Sequence, residues 1–319
     1  MAPSPDPDVV CVGEAMALVS PTDGLPLATT RHVELTHAGA ESNVARHLSA
    51  LGVPTAWLSR LGADALGDRV VNELAAAGVD LRWVGRRADA PTGVFFKDPS
   101  PAGTRVLYYR SGSAASTMGP GDVDSWPLAG ARWLHLTGIT PALSATCAQL
   151  TDALFDRAHG LGLPVSFDVN HRPALWPGGG APDRLLHLAR RADVVFVGLD
   201  EARILWGTRT AEDVAALVDG PRRVVVKDAD REAVEVDRGE PAPRVTRVAA
   251  RRVRVVEPVG AGDAFAAGYL AASLRGEDAD GRLALGHSLA AWTLGTSTDY
   301  RPGHGVAVRA GGDDEEDGS

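Results

Sequence analysis

Residues 258–268 read PVGAGDAFAAG, and this stretch is the most informative one for the fold. Two glycines and a small residue lead into a run of good helix formers, so a tight turn can present bare backbone N–H groups at a helix N-terminus. The helix dipole favours an anion there. Asp263 falls in the first helical turn, where a carboxylate could accept a proton from an attacking hydroxyl. Because Gly-x-Gly is often only a turn and Asp only a cap, the stretch alone leaves both interpretations open.

Length and composition limit the classes of protein to consider. At 319 residues, the chain is long enough for one large α/β domain or two smaller ones. The net charge of −9 argues against broad nucleic-acid binding, which normally needs a basic face. No apolar run approaches the ~18 residues of a membrane span, and the N-terminus lacks a signal pattern. We therefore expect a cytoplasmic enzyme with neither a nucleic-acid nor a membrane partner.

A regular alternation of strands and helices begins at residue 133. The apolar runs predict strands over 133–136, 165–168, 194–197 and 223–227 and helices over 144–159, 182–191, 264–274 and 280–296. Strands that are apolar almost throughout are typical of a parallel sheet covered on both faces. The pattern therefore predicts an α/β fold with helices on both sides of a central parallel sheet.

The first third of the chain does not follow this alternation. Short β-rich runs at 16–20, 32–36, 92–97 and 104–110 surround Pro/Gly-rich turns and predict hairpins. We expect a small β lid over the sheet, built from about residues 16–37 and 92–110. The proposed organisation is a disordered N-terminus (1–8), one domain (9–303) and a disordered acidic tail (304–319).

Three separated motifs carry a family resemblance. Residues 38–45 read AGAESNVA, residues 61–67 read LGADALG and residues 259–265 read VGAGDAF. In this order and spacing they resemble the signatures of the ribokinase (PfkB) family of carbohydrate kinases, over roughly residues 9–303. Residues 108–114 (YYRSGSA), 136–144 (LTGITPALS) and 168–172 (DVNHR) most resemble 2-keto-3-deoxygluconate kinases. The resemblance implies a ribokinase-like, mostly parallel central sheet with a small β-rich lid.

The implied reaction is ATP-dependent phosphorylation of the terminal hydroxyl of a sugar acid, 2-dehydro-3-deoxy-D-gluconate, to its 6-phosphate. By this resemblance Asp263 takes the hydroxyl proton, and the backbone N–H groups of Gly260, Ala261 and Gly262 stabilise charge on the transferring phosphoryl. ATP and Mg²⁺ are the implied cofactors, and a monovalent cation is a further candidate. Glu201 is expected to organise the metal indirectly, with a first-turn helix acid as the alternative.

The resemblance also implies the ligand contacts. Those expected for the substrate are Gly39, Ala40, Asn43, Phe95, Tyr108, Arg110, Arg172 and Asp299, and those for the nucleotide are Lys227, Asp228, Gly260, Gly262 and His287. Arginine grips a carboxylate in a planar, bidentate fashion, so Arg110 and Arg172 suit a sugar acid. The competing interpretations are surface charges for the two arginines, a loop carboxylate for Asp299 and a core histidine for His287.

One loop departs from the family pattern. Where a Gly-x-x-Gly nucleotide loop is usual, residues 228–232 read DADRE. Glycines there permit positive φ and close approach to a nucleotide, and carboxylates repel phosphates, so we expect weakened or unusual nucleotide binding.

A fructokinase-like neutral-sugar kinase and a sugar-binding member with impaired ATP use remain alternatives. Since lids of related kinases often pair, Phe95, Phe96, Tyr108 and Tyr109 predict a homo-oligomer.

Overall fold

The computed structural model describes residues 6–239, 242–253, 255 and 259–295. Its strands are β1 (Val9–Val12), β2 (Met16–Pro21), β3 (Val33–Ala38), β4 (Thr55–Leu58), β5 (Arg60–Gly62), β6 (Gly85–Arg87), β7 (Val94–Asp98), β8 (Arg105–Tyr109), β9 (Trp133–Thr137), β10 (Val165–Asp168), β11 (Val194–Gly198), β12 (Arg223–Asp228), β13 (Glu232–Asp237) and β14 (Arg244–Ala249). Its α-helices are α1 (Ala40–Ala50), α2 (Ala65–Ala76), α3 (Ala145–Leu161), α4 (Ala181–Arg191), α5 (Leu199–Trp206), α6 (Ala211–Leu217), α7 (Ala261–Leu274) and α8 (Ala279–Leu294).

Eight strands form the central sheet, in the order β14-β13-β12-β11-β10-β9-β1-β4. The six strands from β4 to β12 run parallel, and β13 and β14 add an antiparallel edge. All four residues of β1 and of β10 are buried, as expected for strands that are covered on both faces. The predicted fold class is confirmed.

Helices cover both faces of this sheet. Along β1, Val10 and Val12 belong to the core under α3, α4, α5 and α6, whereas Val9 and Cys11 belong to the core under α1, α2, α7 and α8. This alternation follows from the two-residue period of a strand. Both cysteines are free and buried. Among the described residues no helix is long and apolar enough to cross a membrane.

A second, four-stranded sheet lies beside the first, in the order β3-β2-β7-β8. Its strands fall in the segments 16–37 and 92–110, where the sequence predicts β structure. Met16, Leu18, Ala38 and Phe95 form a small core of their own on this sheet. Whether the sheet acts as a lid remains a prediction.

Several local expectations need correction. The apolar pattern of residues 81–84 (LRWV) also predicts a strand, but these residues form a turn in which the Val84 N–H donates to the Leu81 carbonyl at 3.0 Å, and the strand β6 follows it. β14 is absent from the sequence prediction because its arginines break the apolar pattern. Ser42 precedes a helical pattern over 43–51, which predicts it as the cap of α1, but Gly39 is the N-cap and the Ser42 Oγ–H donates to the Gly39 carbonyl at 2.9 Å.

The structure describes only part of the two terminal segments that the sequence predicts to be disordered. Asp8, in the segment predicted to be disordered, donates its backbone N–H to the Pro54 carbonyl at 2.8 Å. Residues 1–5 and the predicted acidic tail (304–319) lie outside the described residues.

Candidate active site

A cavity of about 1380 Å³ lies between the small sheet and the carboxyl ends of the parallel strands. The predicted site residues that line it are Gly39, Ala40, Asn43, Phe95, Tyr108, Arg110, Arg172, Glu201, Lys227, Gly260, Ala261, Gly262, Asp263 and His287. Ligands of open α/β sheets bind at this edge because the strands all end there. Asp228 is not among the lining residues, and Asp299 lies outside the described residues.

The start of α7 forms one wall of the cavity. Gly260, the N-cap, has a φ of 85°, a left-handed conformation that glycine adopts without strain, and the helix begins at Ala261. The first N–H groups of a helix have no partner within it, so this turn can accept an anion. A Cβ placed on Gly262 would lie 3.4 Å from the Lys227 Nζ. The helix start and the lysine therefore face the same part of the cavity.

Asp263 lies in the first turn of α7 beside the signature of α1. The Asn43 Nδ2 donates to the Asp263 Oδ2 at 2.9 Å, across 220 residues of sequence. Burial raises the pKa of Asp263 to about 8, and the Asp168 charge raises it as well, whereas the Asn43 hydrogen bond and the charges of Arg172 and Lys227 lower it. A carboxylate with a pKa near the working pH suits a general base.

The first turn of α1, which carries Asn43, is tied to the end of the central sheet. A Cβ on Gly39 would lie 2.3 Å from the Glu14 carbonyl oxygen, so only glycine allows α1 to start this close to β1. The Glu41 Oε1 accepts hydrogen bonds from Thr137 Oγ1 at 2.7 Å and Thr140 Oγ1 at 3.0 Å. Burial raises the pKa of Glu41 to about 7. These contacts hold Asn43 opposite α7.

Three charged side chains meet where β10, β11 and β12 end. The Lys227 Nζ donates to the Asp168 Oδ2 at 2.9 Å. Burial lowers the pKa of Lys227, but the carboxylates of Asp168 and Glu201 outweigh it and raise the pKa above its usual value. Burial, and then the Asp168 charge, raise the pKa of Glu201. The Glu201 carboxylate also accepts the backbone N–H groups of Gly198 and His171, each at 3.0 Å. Glu201 is thus a first-turn acid of α5 that also lines the cavity, and its role towards a metal stays a prediction.

This cluster offers oxygen atoms to a divalent cation. The Asp168 Oδ1 is buried and accepts no hydrogen bond from the described residues. Carboxylate oxygens are the ligands that Mg²⁺ takes in proteins, usually with water and substrate phosphates. The described residues contain no group of three or more His, Cys, Asp or Glu side chains placed to hold a metal on their own. The chemistry of Asp168 and Glu201 thus suits a divalent cation that takes its other ligands from elsewhere.

The cavity also contains residues that the sequence reasoning did not select. Glu14, Lys97, Asp168 and Asn170 all line it. Asn170 has a φ of 40°, a left-handed conformation that asparagine adopts more readily than most residues with a Cβ, and its buried Oδ1 accepts no hydrogen bond from the described residues. Two signals pointed to them: the DVNHR motif, from which only Arg172 was selected, and the two lysines of the chain, of which only Lys227 was selected although both line this cavity.

Arg110 and Arg172 differ in their surroundings. The Arg110 side chain is 10% exposed and forms an ion pair with the buried Glu14, so it is not an ordinary surface charge. The Arg172 side chain is 45% exposed, and its Nη1 lies 3.8 Å from the Glu201 Oε1. Phe95 stacks on Tyr108 with ring centroids 5.6 Å apart. The cavity thus carries cationic, hydroxyl and aromatic groups at the end away from α8.

The other end of the cavity lies beside α8 and the β12–β13 turn. The His287 Nε2 lies 3.0 Å from the Val248 carbonyl oxygen, so this residue bridges α8 and β14 as well as lining the cavity. In the acidic loop, Asp228 lies 3.8 Å from Arg231, and Glu232 pairs with Arg247 at 2.6 Å. Arginine therefore offsets two of the three loop carboxylates, and weakened nucleotide binding stays a prediction.

Comparison with known proteins agrees with this geometry. Residues 6–302 match the pfkB family of carbohydrate kinases. The chain belongs to the PfkB family. This PfkB kinase is 37% identical to the 2-dehydro-3-deoxygluconokinase of Bacillus subtilis (strain 168) over 276 residues, which cover 84% of each chain. It is 34% identical to the 2-dehydro-3-deoxygalactonokinase of Haloferax volcanii, over 89% of this chain and 90% of that one.

Solved structures of other PfkB kinases share its architecture. A PfkB protein from Polaromonas sp. JS666 superposes with a TM-score of 0.83 at 38% identity, covering 91% of this chain and 96% of that one. A fructokinase from Xylella fastidiosa with bound ATP superposes with a TM-score of 0.78 at 27% identity, covering 91% and 92%. The protein is a carbohydrate kinase with a ribokinase-like fold, and ATP use follows from its family.

Proposed function

We propose that this kinase transfers the γ-phosphoryl of ATP to the terminal hydroxyl of a 2-dehydro-3-deoxy sugar acid, most consistently 2-dehydro-3-deoxy-D-gluconate, in the cytoplasm. The observation that carries the proposal is that one cavity brings together Asp263, Lys227, Arg110 and Arg172, and the part of it that carries these two arginines is called the sugar end. The names of the two curated relatives described above support the substrate class. A cationic sugar end suits a substrate that carries its own carboxylate.

In the proposed mechanism the substrate hydroxyl lies between Asp263 and the phosphoryl group at the start of α7. The hydroxyl oxygen bonds to the γ-phosphorus, the bond from that phosphorus to the β-phosphate oxygen breaks, and ADP leaves. Asp263 takes the hydroxyl proton while Asn43 keeps its carboxylate oriented. The N–H groups of Gly260, Ala261 and Gly262 stabilise the negative charge that develops on the phosphoryl oxygens.

The nucleotide charge is balanced by the cluster at the ends of β10 to β12. When bound, Mg²⁺ neutralises charge on the triphosphate, and Asp168 and Glu201 would hold it. Lys227 already lies against the α7 turn, so it can donate to a phosphate oxygen there without leaving Asp168. His287 and the loop at 228–232 would border the nucleoside. A monovalent cation stays a further candidate cofactor.

A second candidate is a neutral-sugar kinase of the same fold. The fructokinase neighbour and the pairing of Arg110 with Glu14 favour it, because that pair leaves less positive charge for a substrate carboxylate. A homo-oligomer is also proposed, on the basis of the aromatic residues of the small sheet.

An ADP-release assay with Mg²⁺-ATP across matched sugar acids and neutral sugars tests the proposed function. We expect turnover of the sugar acids, and Asp263→Asn should lower kcat by about 10²–10⁴-fold, the usual contribution of a general base. Asp280→Asn is the matched control because Asp280 lies in the first turn of α8, is exposed and is not among the lining residues. Turnover confined to neutral sugars, or an Asp263→Asn enzyme with unchanged kcat, would contradict the proposal.

A further inference from the structure

Glu14 is a buried carboxylate with no role in the chemistry described so far. It lies two residues after the end of β1, its side chain is inaccessible to solvent, and it lines the cavity. Removing a charge from water costs free energy unless the charge is paired and hydrogen-bonded. The partners of the Glu14 carboxylate therefore indicate which part of the molecule it stabilises.

Those partners come from the exit of the small sheet. The Glu14 Oε2 accepts from the Arg110 Nε at 2.7 Å and also from Nη2, so two donors of the guanidinium fork bind the carboxylate. The Glu14 Oε1 accepts the hydroxyl hydrogen of Ser113. Arg110 follows β8 directly, and Ser113 lies three residues further along the chain. A Cβ on Gly93, just before β7, would lie 3.1 Å from the same Oε1. Glu14 therefore binds the segment that leaves the β7–β8 hairpin and lies against the residue that enters it.

This pairing changes what Arg110 can bind. Its Nε and Nη2 are used by Glu14, and its guanidinium carbon lies 5.7 Å from the centroid of the Tyr108 ring. A second carboxylate at this guanidinium would lie close to Glu14 and be repelled. Glu14 would not repel an uncharged hydroxyl or keto oxygen in the same way, because such a group carries no net charge. The Arg172 Nη1 donates to the His171 carbonyl at 3.2 Å and lies 3.8 Å from the Glu201 Oε1, and the Glu201 oxygens already accept two backbone N–H groups. No hydrogen bond to a carboxylate therefore occupies the Arg172 guanidinium among the described residues.

We propose that Glu14 is the positioning residue of Arg110: it fixes the guanidinium at the sugar end and offsets its charge, so that Arg110 binds an uncharged part of the substrate and Arg172 binds the carboxylate. This inference rests on the proposed function, because it assigns the two ends of a sugar acid.

The test compares the sugar acid with its methyl ester in steady-state kinetics. For Arg172→Met we expect KM to rise about 100-fold for the acid and less than about threefold for the ester, which has no charge. For Arg110→Met we expect similar rises of about tenfold for both substrates. A rise confined to the acid in Arg110→Met would overturn the assignment of the carboxylate.

The role of Glu14 is tested by a double-mutant cycle. Glu14→Gln should raise KM about tenfold for acid and ester alike, with kcat and the KM for ATP within about twofold of wild type. The double variant Glu14→Gln/Arg110→Met should be no worse than Arg110→Met alone, because both changes remove the same contact. Unchanged KM in Glu14→Gln, or multiplicative effects in the double variant, would overturn the proposal.

A replacement variant and a control variant separate an effect on substrate binding from a failure to fold. If Glu14→Gln fails to fold by circular dichroism, Arg110→Lys replaces it, since lysine keeps the charge but loses the fork, and we expect the same rise of about tenfold in KM. Arg105→Met on β8 is the matched control because that side chain is 72% exposed. Turnover by the wild type is measured first. A wild type that uses only neutral sugars rejects the proposed function, while the cycle measured on such a sugar still tests the positioning.

Discussion

Asp263 holds its proton more tightly than an ordinary aspartate because the cavity wall removes its carboxylate from water. Its neighbours act in opposite directions. Asp168 raises its pKa, and Asn43, Arg172 and Lys227 lower it. The proton affinity of the proposed base therefore depends on side chains from four other elements or loops.

The pH dependence of kcat/KM for the sugar substrate should report this balance. The base acts only when deprotonated, so kcat/KM should rise with pH and level off above a midpoint near the pKa of about 8. Lys227→Met removes a positive charge that lowers this pKa, so the midpoint should move to higher pH. A midpoint that stays in place or falls would contradict the assignment. Arg209→Met, at an exposed arginine before α6, should leave it unchanged.

At the scale of single residues, the sequence predicted which side chains line the cavity better than it predicted which side chains pair with one another. Asp263, Asn43, Arg110 and Lys227 were identified from motifs, and all line the cavity. Glu14 and Asp168 were not selected, because a carboxylate after an apolar strand has no local pattern that separates it from a turn residue. Their significance comes from arginine and lysine partners 96 and 59 residues away in sequence.

At the level of elements, the β12–β13 turn carries local strain. Ala229 has a φ of 45°, which is unfavourable for a residue with a Cβ, and the Arg231 N–H donates to the Asp228 carbonyl at 2.9 Å to close the turn. The chain keeps a glycine-like turn although the expected glycines are gone. The departure seen in the sequence therefore affects side-chain charge and strain more than backbone shape.

Ala229→Gly should relieve this strain. We expect the free energy of unfolding to increase by about 1 kcal/mol, less the entropy that glycine adds to the unfolded chain. Chemical denaturation measures it. Ala102→Gly is the control, since Ala102 lies in an exposed turn and is not one of the residues with positive φ, and this change should destabilise slightly. A loss of stability in Ala229→Gly equal to that in the control would rule out the strain.

For the whole molecule, the small sheet presents two different faces. Phe95 and Tyr108 stack on the cavity side, whereas Phe96 and Tyr109 meet edge-on with centroids 5.6 Å apart on the other side. Of the four aromatic residues expected at a subunit contact, only Phe96 and Tyr109 lie on the face turned away from the cavity. Tyr109 is 64% exposed.

Tyr109→Arg should therefore weaken the proposed oligomer. A charge on an apolar subunit contact is costly to bury, so the mass measured by light scattering should fall towards that of one 33.3 kDa chain. Ile204→Arg is the matched control, because Ile204 is an equally exposed apolar side chain (71%) on α5, beside the central sheet. A wild type that is already monomeric, or an equal effect in both variants, would reject this interface.

The amino-acid sequence by itself determined the local features of this protein: the apolar strands, the helix start at Gly260 and Asp263, and the motifs that mark a PfkB kinase. Each of these depends on residues within a few positions of one another. Only the tertiary structure decided the pairs Glu14–Arg110, Asn43–Asp263 and Asp168–Lys227. The order of strands in the sheet brings the two members of each pair together, and burial then influences which of these side chains are charged. No local periodicity encodes either effect.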